Sequence, residues 1–228
     1  MRTVLSAAHR LVVFVGNYGS GKTEIALNFA ASLAALGKSV SLADLDTVTP
    51  AFRSRDVKAE MARLGVRVLA PAGEMANTDL PSIPAEVVGA IRMAPGHVIL
   101  DVGGDRTGSR VLGFFHEAFS NEDYEAYFVV NPWRPFTSTA AQIESALAVI
   151  ETSARVRVDG LIGNPHLGPQ SGLADILEQV PVVQEAAANL HRPVKFWAAA
   201  KHLAVALQEK VSEPVLPLEL YMRPPWER

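Results

Sequence analysis

The chain has 228 residues, 49% of them hydrophobic and 20% charged, which suits one α/β domain with a sizeable core and excludes a disordered chain. A net charge of −3 and a pI near 6.1 argue against general electrostatic affinity for nucleic acid or for an anionic membrane. Cysteine is absent, so disulfides, thiolate chemistry, zinc–thiolate sites and iron–sulfur ligation are excluded.

In chain order, the residues up to Arg10 carry two arginines ahead of a short apolar run and do not read as a targeting segment. That run, 11–15, predicts a buried strand and leads into Gly16-Asn17-Tyr18-Gly19-Ser20-Gly21-Lys22-Thr23. This is a complete G-x-x-x-x-G-K-[ST] phosphate-binding loop, and the Ala- and Leu-rich stretch 23–36 behind it predicts a helix. Strand, glycine loop and helix in that order point to a nucleoside triphosphate. Glycines let backbone amides close on phosphate oxygens, and the helix start adds unpaired N–H groups. Lys22 is then placed to reach the β- and γ-phosphates, and the Thr23 hydroxyl to hold Mg²⁺.

Short apolar runs at 40–43, 66–69, 98–100, 126–130, 160–163 and 194–197 predict further strands. Helices are expected between them at 57–64, 85–93, 109–119, 138–152, 173–190 and 201–210, with Gly37 and Gly65 as helix C-caps. The alternation predicts a doubly wound, mostly parallel sheet of about seven strands in three layers. A nucleotide-binding domain over 1–210 is expected, followed by a Pro-rich tail, 211–228, that packs back on it. Its four prolines forbid a long helix there. No stretch approaches membrane-spanning length, so a soluble, cytoplasmic protein is expected.

Two strand ends carry carboxylates. Asp44-Leu45-Asp46 closes the second strand, and Asp101-Val102-Gly103-Gly104 closes a later one. Ligands of open α/β sheets collect at the carboxyl ends of strands, so these residues face the phosphates. Asp101 is the metal candidate through water, and the Gly104 amide can meet the γ-phosphate. A strand-end Asp can equally cap the next turn. His97 lies at the wrong end of its strand for catalysis, and no histidine spacing suggests a metal site. The Pro132-Trp133-Arg134-Pro135-Phe136 loop reads either as a rigid aromatic turn or as a place for a small acid or a partner.

Together these motifs resemble the ATPase superfamily of MinD, ParA, CobQ and CobB. A further strand, ending Gly163-Asn164-Pro165, adds to the likeness, which extends to about residue 205. The resemblance implies that Asp46 orients the hydrolytic water, that Asp44 is its companion near the metal, and that Asn164 meets the adenine edge. It also implies a nucleotide-controlled homodimer. One departure stands out. The MinD/ParA branch usually carries a lysine after the first loop glycine that reaches the partner's nucleotide, and here that position is Asn17, followed by Tyr18. Either that dimer does not form, or Arg53, Arg55 or Arg106 substitutes, or hydrolysis is slow. Without an Asn-Lys-x-Asp or Thr-Lys-x-Asp guanine-reading motif, ATP is favoured over GTP. The expected function is a Mg²⁺-dependent ATP switch acting on a protein partner. The alternatives are an ATP-dependent small-molecule kinase or ligase, and an ATP-binding maturation factor with little turnover.

Overall fold

A computed structural model describes residues 1–45, 57–69, 85–93, 95–103, 110–115, 124–168 and 170–222. Eight strands form one sheet in the order β3-β2-β4-β1-β5-β6-β7-β8. They are β1 Leu11–Val15, β2 Val40–Leu45, β3 Val66–Leu69, β4 His97–Val102, β5 Tyr124–Val130, β6 Gly160–Gly163, β7 Val194–Ala200 and β8 Val215–Leu218. Every pairing is parallel. The helices are α1 Arg2–Ser6, α2 Lys22–Ala35, α3 Lys58–Arg63, α4 Ala85–Met93, α5 Ala140–Ala154, α6 Leu173–Asn189 and α7 Lys201–Gln208.

A strand covered on both faces has no polar side, and β1 shows this: all five residues are buried. Leu11, Val13 and Val15 enter one core with α4, α5, α6 and α7, while Val12 and Phe14 enter the other with α1, α2 and α3. On the second face the rings of Phe14, Phe29, Tyr127 and Phe196 close into one cluster, with centroids 5.4 to 6.1 Å apart. They lock α2, which opens with Lys22, onto the centre of the sheet.

The seven strands expected from the sequence are present, and the eighth comes from the proline-rich tail. β8 lies at the sheet edge, where Pro217 needs no N–H partner on its outer side and stays exposed. Two differences concern helices. Of the helix expected at 109–119, the described part, Arg110–Phe115, is a 3₁₀ helix, and the short α1 was not anticipated. Gly37 and Gly65 take positive φ after α2 and α3, as their expected cap roles require. Among the described residues no helix is long and apolar enough to cross a membrane.

Past β8, residues 219–222 cross α2 as a strap. Asn28 pairs with Glu219 in both directions, its Nδ2 donating to the Glu219 carbonyl (2.9 Å) and its Oδ1 accepting from the Glu219 N–H (2.8 Å). The Glu24 carboxylate accepts the N–H groups of Tyr221 (2.7 Å) and Met222 (3.0 Å). The strap explains why α2 is buried nearly all round.

Removing the ring that α2 itself contributes tests the aromatic lock. Phe29→Ala should cost about 3–5 kcal/mol, read from urea unfolding. The Glu24 latch titrates: burial raises its carboxyl to about 7 from 4.5, against the opposing pull of the Tyr221 and Met222 N–H groups and Asn28. A folded carboxyl that holds its proton more tightly than the unfolded one gives stability that is fully present below about 4.5 and is lost as pH rises through about 7. Relative to Glu24→Gln, the wild-type protein should therefore lose stability across that window. A pH-independent difference would remove the latch from the titration.

Candidate functional site

All strands run parallel, so their carboxyl ends share one edge, and the loop Gly16–Gly21 rises there between β1 and α2. Gly19 and Gly21 have φ of +76° and +85°, a left-handed backbone that favours glycine. Space forbids a side chain as well: a Cβ at Gly21 would lie 2.3 Å from the Asn164 amide nitrogen. No side chain caps the first turn of α2, so the helix start keeps its N–H groups for a ligand. Lys22 is buried, only 5% exposed, and Thr23 is 9% exposed.

The loop is braced from the strand ends beside it. Asn164, after β6, donates from Nδ2 to the Ser20 carbonyl at 2.7 Å. Asn131, after β5 and fully buried, donates to the carbonyls of Gly19 (3.4 Å) and His166 (3.0 Å). Its Oδ1 accepts the N–H groups of Trp133 (3.1 Å) and His166 (3.2 Å). Arg134 donates from Nε to the Gly19 carbonyl at 3.2 Å. The Pro132–Phe136 segment is a tight turn, closed by the Thr137 hydroxyl on the Asn131 carbonyl at 2.8 Å. It leaves Phe136 exposed with φ +68°.

His166 completes this wall. Burial, helped by the Arg134 guanidinium, pushes its imidazole down to about 4, while the facing Gly19 carbonyl opposes the shift in part. The ring is neutral at physiological pH. Gly168 N–H donates to Nδ1 (3.2 Å), which assigns the proton to Nε2, the nitrogen facing Gly21.

On the other flank of β1, Asp44 and Asp101 are directly paired in register on β2 and β4, 2% and 0% exposed. Asp101 is also in register with Phe14, two residues before the loop opens at Gly16. Among the described residues no cluster of three or more His, Cys, Asp or Glu gathers as a metal site. Two carboxylates and the Thr23 hydroxyl suit Mg²⁺, which keeps several of its waters and takes few protein ligands. Ser20 Oγ is buried with no hydrogen-bond partner among the described residues, a group left for a ligand beside the loop. A cavity of about 1080 Å³ extends from the loop along the ends of β6, β7 and β8, past Tyr18, Arg134, Asn164, His166, Lys201 and Met222. Its size fits a nucleotide.

Of the residues singled out from the sequence, Tyr18, Gly19, Gly21, Lys22, Thr23 and Asn164 line the cavity, and Gly16, Asn17 and Ser20 belong to the same loop. Asp44 and Asp101 sit on the neighbouring strand ends. Asp46, Gly104, Arg53, Arg55 and Arg106 lie outside the described residues. Asn131, His166 and Glu24 were not singled out. An Asn-Pro step at a strand end, present at both Asn131 and Asn164, was the available signal for the first.

A strand, glycine loop and helix on a parallel sheet, with acidic strand ends beside the loop, define a P-loop nucleotide-binding domain. Specifically, the chain belongs to the CobQ/CobB/MinD/ParA nucleotide-binding domain family, which it matches over residues 11–198. Comparison with curated proteins by sequence gave no match. Among solved structures it is similar to the cell division protein FtsY of Thermotoga maritima, with a TM-score of 0.57 and 23% identity over 85% of this chain and 63% of that one. It is similar also to chloroplast FtsY of Physcomitrella patens, with a TM-score of 0.59 and 17% identity over 84% of this chain and 59% of that one. The signal recognition particle receptor FtsY of Elizabethkingia anophelis gives 0.51 and 18%, over 84% and 59%. The chain thus spans about three fifths of these proteins and shares the fold of the part it matches.

If the Asn164 brace holds the loop in its binding shape, Asn164→Ala should weaken nucleotide binding about tenfold or more. The loss is that of a buried hydrogen bond together with the stranding of the Ser20 carbonyl. Calorimetric titration of wild type and variant measures it, and equal affinities would remove the brace from the binding energetics.

Proposed function

We propose that this domain is a Mg²⁺-dependent ATP switch: it binds ATP, hydrolyses it slowly and acts on a protein partner through the change. The observation that carries the reading is the braced loop, with Lys22 buried at the helix start and a nucleotide-sized cavity beside it. In this reading Lys22 and the first turn of α2 hold the β- and γ-phosphates. Thr23 and, through water, Asp101 and Asp44 hold the metal, which when bound neutralises charge on those phosphates. Asp46 orients the attacking water and the Gly104 amide reports the γ-phosphate. Asn164 spends its amide nitrogen on Ser20, so Oδ1 is the atom left for a base, and an acceptor there suits the exocyclic amine of adenine.

Asn17 supplies no cation where the MinD/ParA branch has its lysine, which supports slow turnover by the isolated chain. The family context supports an ATP-dependent homodimer as the switched state.

Lys22→Ala should abolish ATP and ADP binding, whereas Asp46→Ala should bind ATP normally and lose hydrolysis. Full ATPase activity in Asp46→Ala would sink that assignment. Light scattering with ADP and with a non-hydrolysable ATP analogue, alongside the basal rate, tests the switch itself. A dimer that appears only with the ATP analogue supports it. A strict monomer whose turnover requires an added metabolite would replace it with a kinase or ligase.

A further inference from the structure

We propose that Arg134 is a nucleoside contact of this site: docked on the Gly19 carbonyl, its guanidinium lies against the base and ribose of bound ATP, away from the terminal phosphates. The inference rests on the nucleotide reading above and goes beyond it in giving the β5 loop a ligand-facing residue.

Three observations carry it. The first is the dock. Nε of Arg134 donates to Gly19, and a Cβ on Gly19 would lie 3.0 Å from that nitrogen and 3.3 Å from Cδ. A Cβ there would crowd the arginine by a few tenths of an ångström, and the φ of +76° favours glycine in any case, so the glycine keeps the dock close. The second is the unspent charge. Arg134 is half-buried on the cavity wall, and no carboxylate among the described residues pairs with it. Its titratable neighbour His166 is held neutral, so the guanidinium is the charge presented on that stretch of wall.

The third is position in the sheet. The paired carboxylates Asp44 and Asp101 stand on β2 and β4, on one flank of β1. Arg134 follows β5, on the opposite flank, and the cavity continues from it along β6, β7 and β8. A triphosphate held at Lys22 with its terminal phosphates toward the carboxylates directs its nucleoside along the Arg134 side. That geometry separates Arg134 from the task of the absent loop lysine. Chemically the residue suits the place: a guanidinium plane stacks on π faces and tolerates any base, and its remaining donors can meet ribose oxygens.

The test uses the full chain and three probes: ATP, ADP and inorganic tripolyphosphate, each titrated by calorimetry. Arg134→Ala should weaken ATP and ADP by the same factor, about tenfold more than it weakens tripolyphosphate, which loses only the dock on the Gly19 carbonyl. Arg134→Gln, which keeps a donor for the Gly19 carbonyl but not the cationic plane, should show the same pattern, and Arg134→Lys an intermediate one. The Gln and Lys variants keep the question answerable if the Ala variant does not fold. Equal loss of tripolyphosphate and ATP would make Arg134 a loop brace or phosphate ligand and nothing more, and would overturn the proposal. So would a loss confined to ATP, the mark of a γ-phosphate finger, or no loss at all. Wild-type protein that binds neither nucleotide would instead bring down the nucleotide reading itself.

Discussion

The site depends on what happens to the outward side of the phosphate loop. A loop that offers amide groups to a ligand turns carbonyls the other way, into protein, where each needs a donor. Here the Gly19 carbonyl receives Asn131 and Arg134, and the Ser20 carbonyl receives Asn164. All three donors stand just beyond the ends of β5, next to β1 in the sheet order, and of β6 on its far side. The parallel sheet is therefore more than a scaffold for strand-end aspartates. Its register brings polar side chains from far along the chain under one six-residue loop and fixes the loop before any ligand arrives, which spares binding the cost of ordering it.

The same register divides labour across β1. Acidic groups gather on the β2–β4 side, and amides, an imidazole held neutral and an arginine gather on the β5–β6 side. Since carboxylates attract a metal and repel bare phosphate, the two flanks offer different chemistry to the two halves of one nucleotide. Glu24 stands apart from both. It follows Thr23 directly, yet its carboxylate holds the strap, and burial raises its proton affinity.

Much of this was legible in the sequence. β1, the loop and α2 form a contiguous run whose glycines, lysine and apolar residues each have one strong reading, and the strands buried on both faces are near-continuous apolar runs. What stayed hidden depends on distance along the chain. The bracing by Asn131, Arg134 and Asn164 is unreadable until these residues meet a loop more than a hundred positions earlier, although Asn164 was singled out for another role. β8 was masked because Val215-Leu216-Pro217-Leu218 carries a proline, a residue barred from central strands but tolerated at this edge. The 3₁₀ segment at Arg110–Phe115 shows the reverse: a helical apolar spacing fixes which side chains go inward, not which helix carries them.

The strap has a consequence for the order of folding. Asn28 and Glu219, which hold each other at both backbone groups, are separated by 191 residues. The segment that finishes the burial of the loop helix is thus synthesised long after the helix itself. Contacts so far apart in sequence form late, because a long loop must close before they return any energy. Until residues 219–222 arrive, Glu24 and Asn28 of α2 lack their partners on that segment and the cavity lacks one wall. A nascent or C-terminally clipped chain would therefore display the signature loop while lacking part of the enclosure for its ligand, and competence to bind would mark completion of the fold.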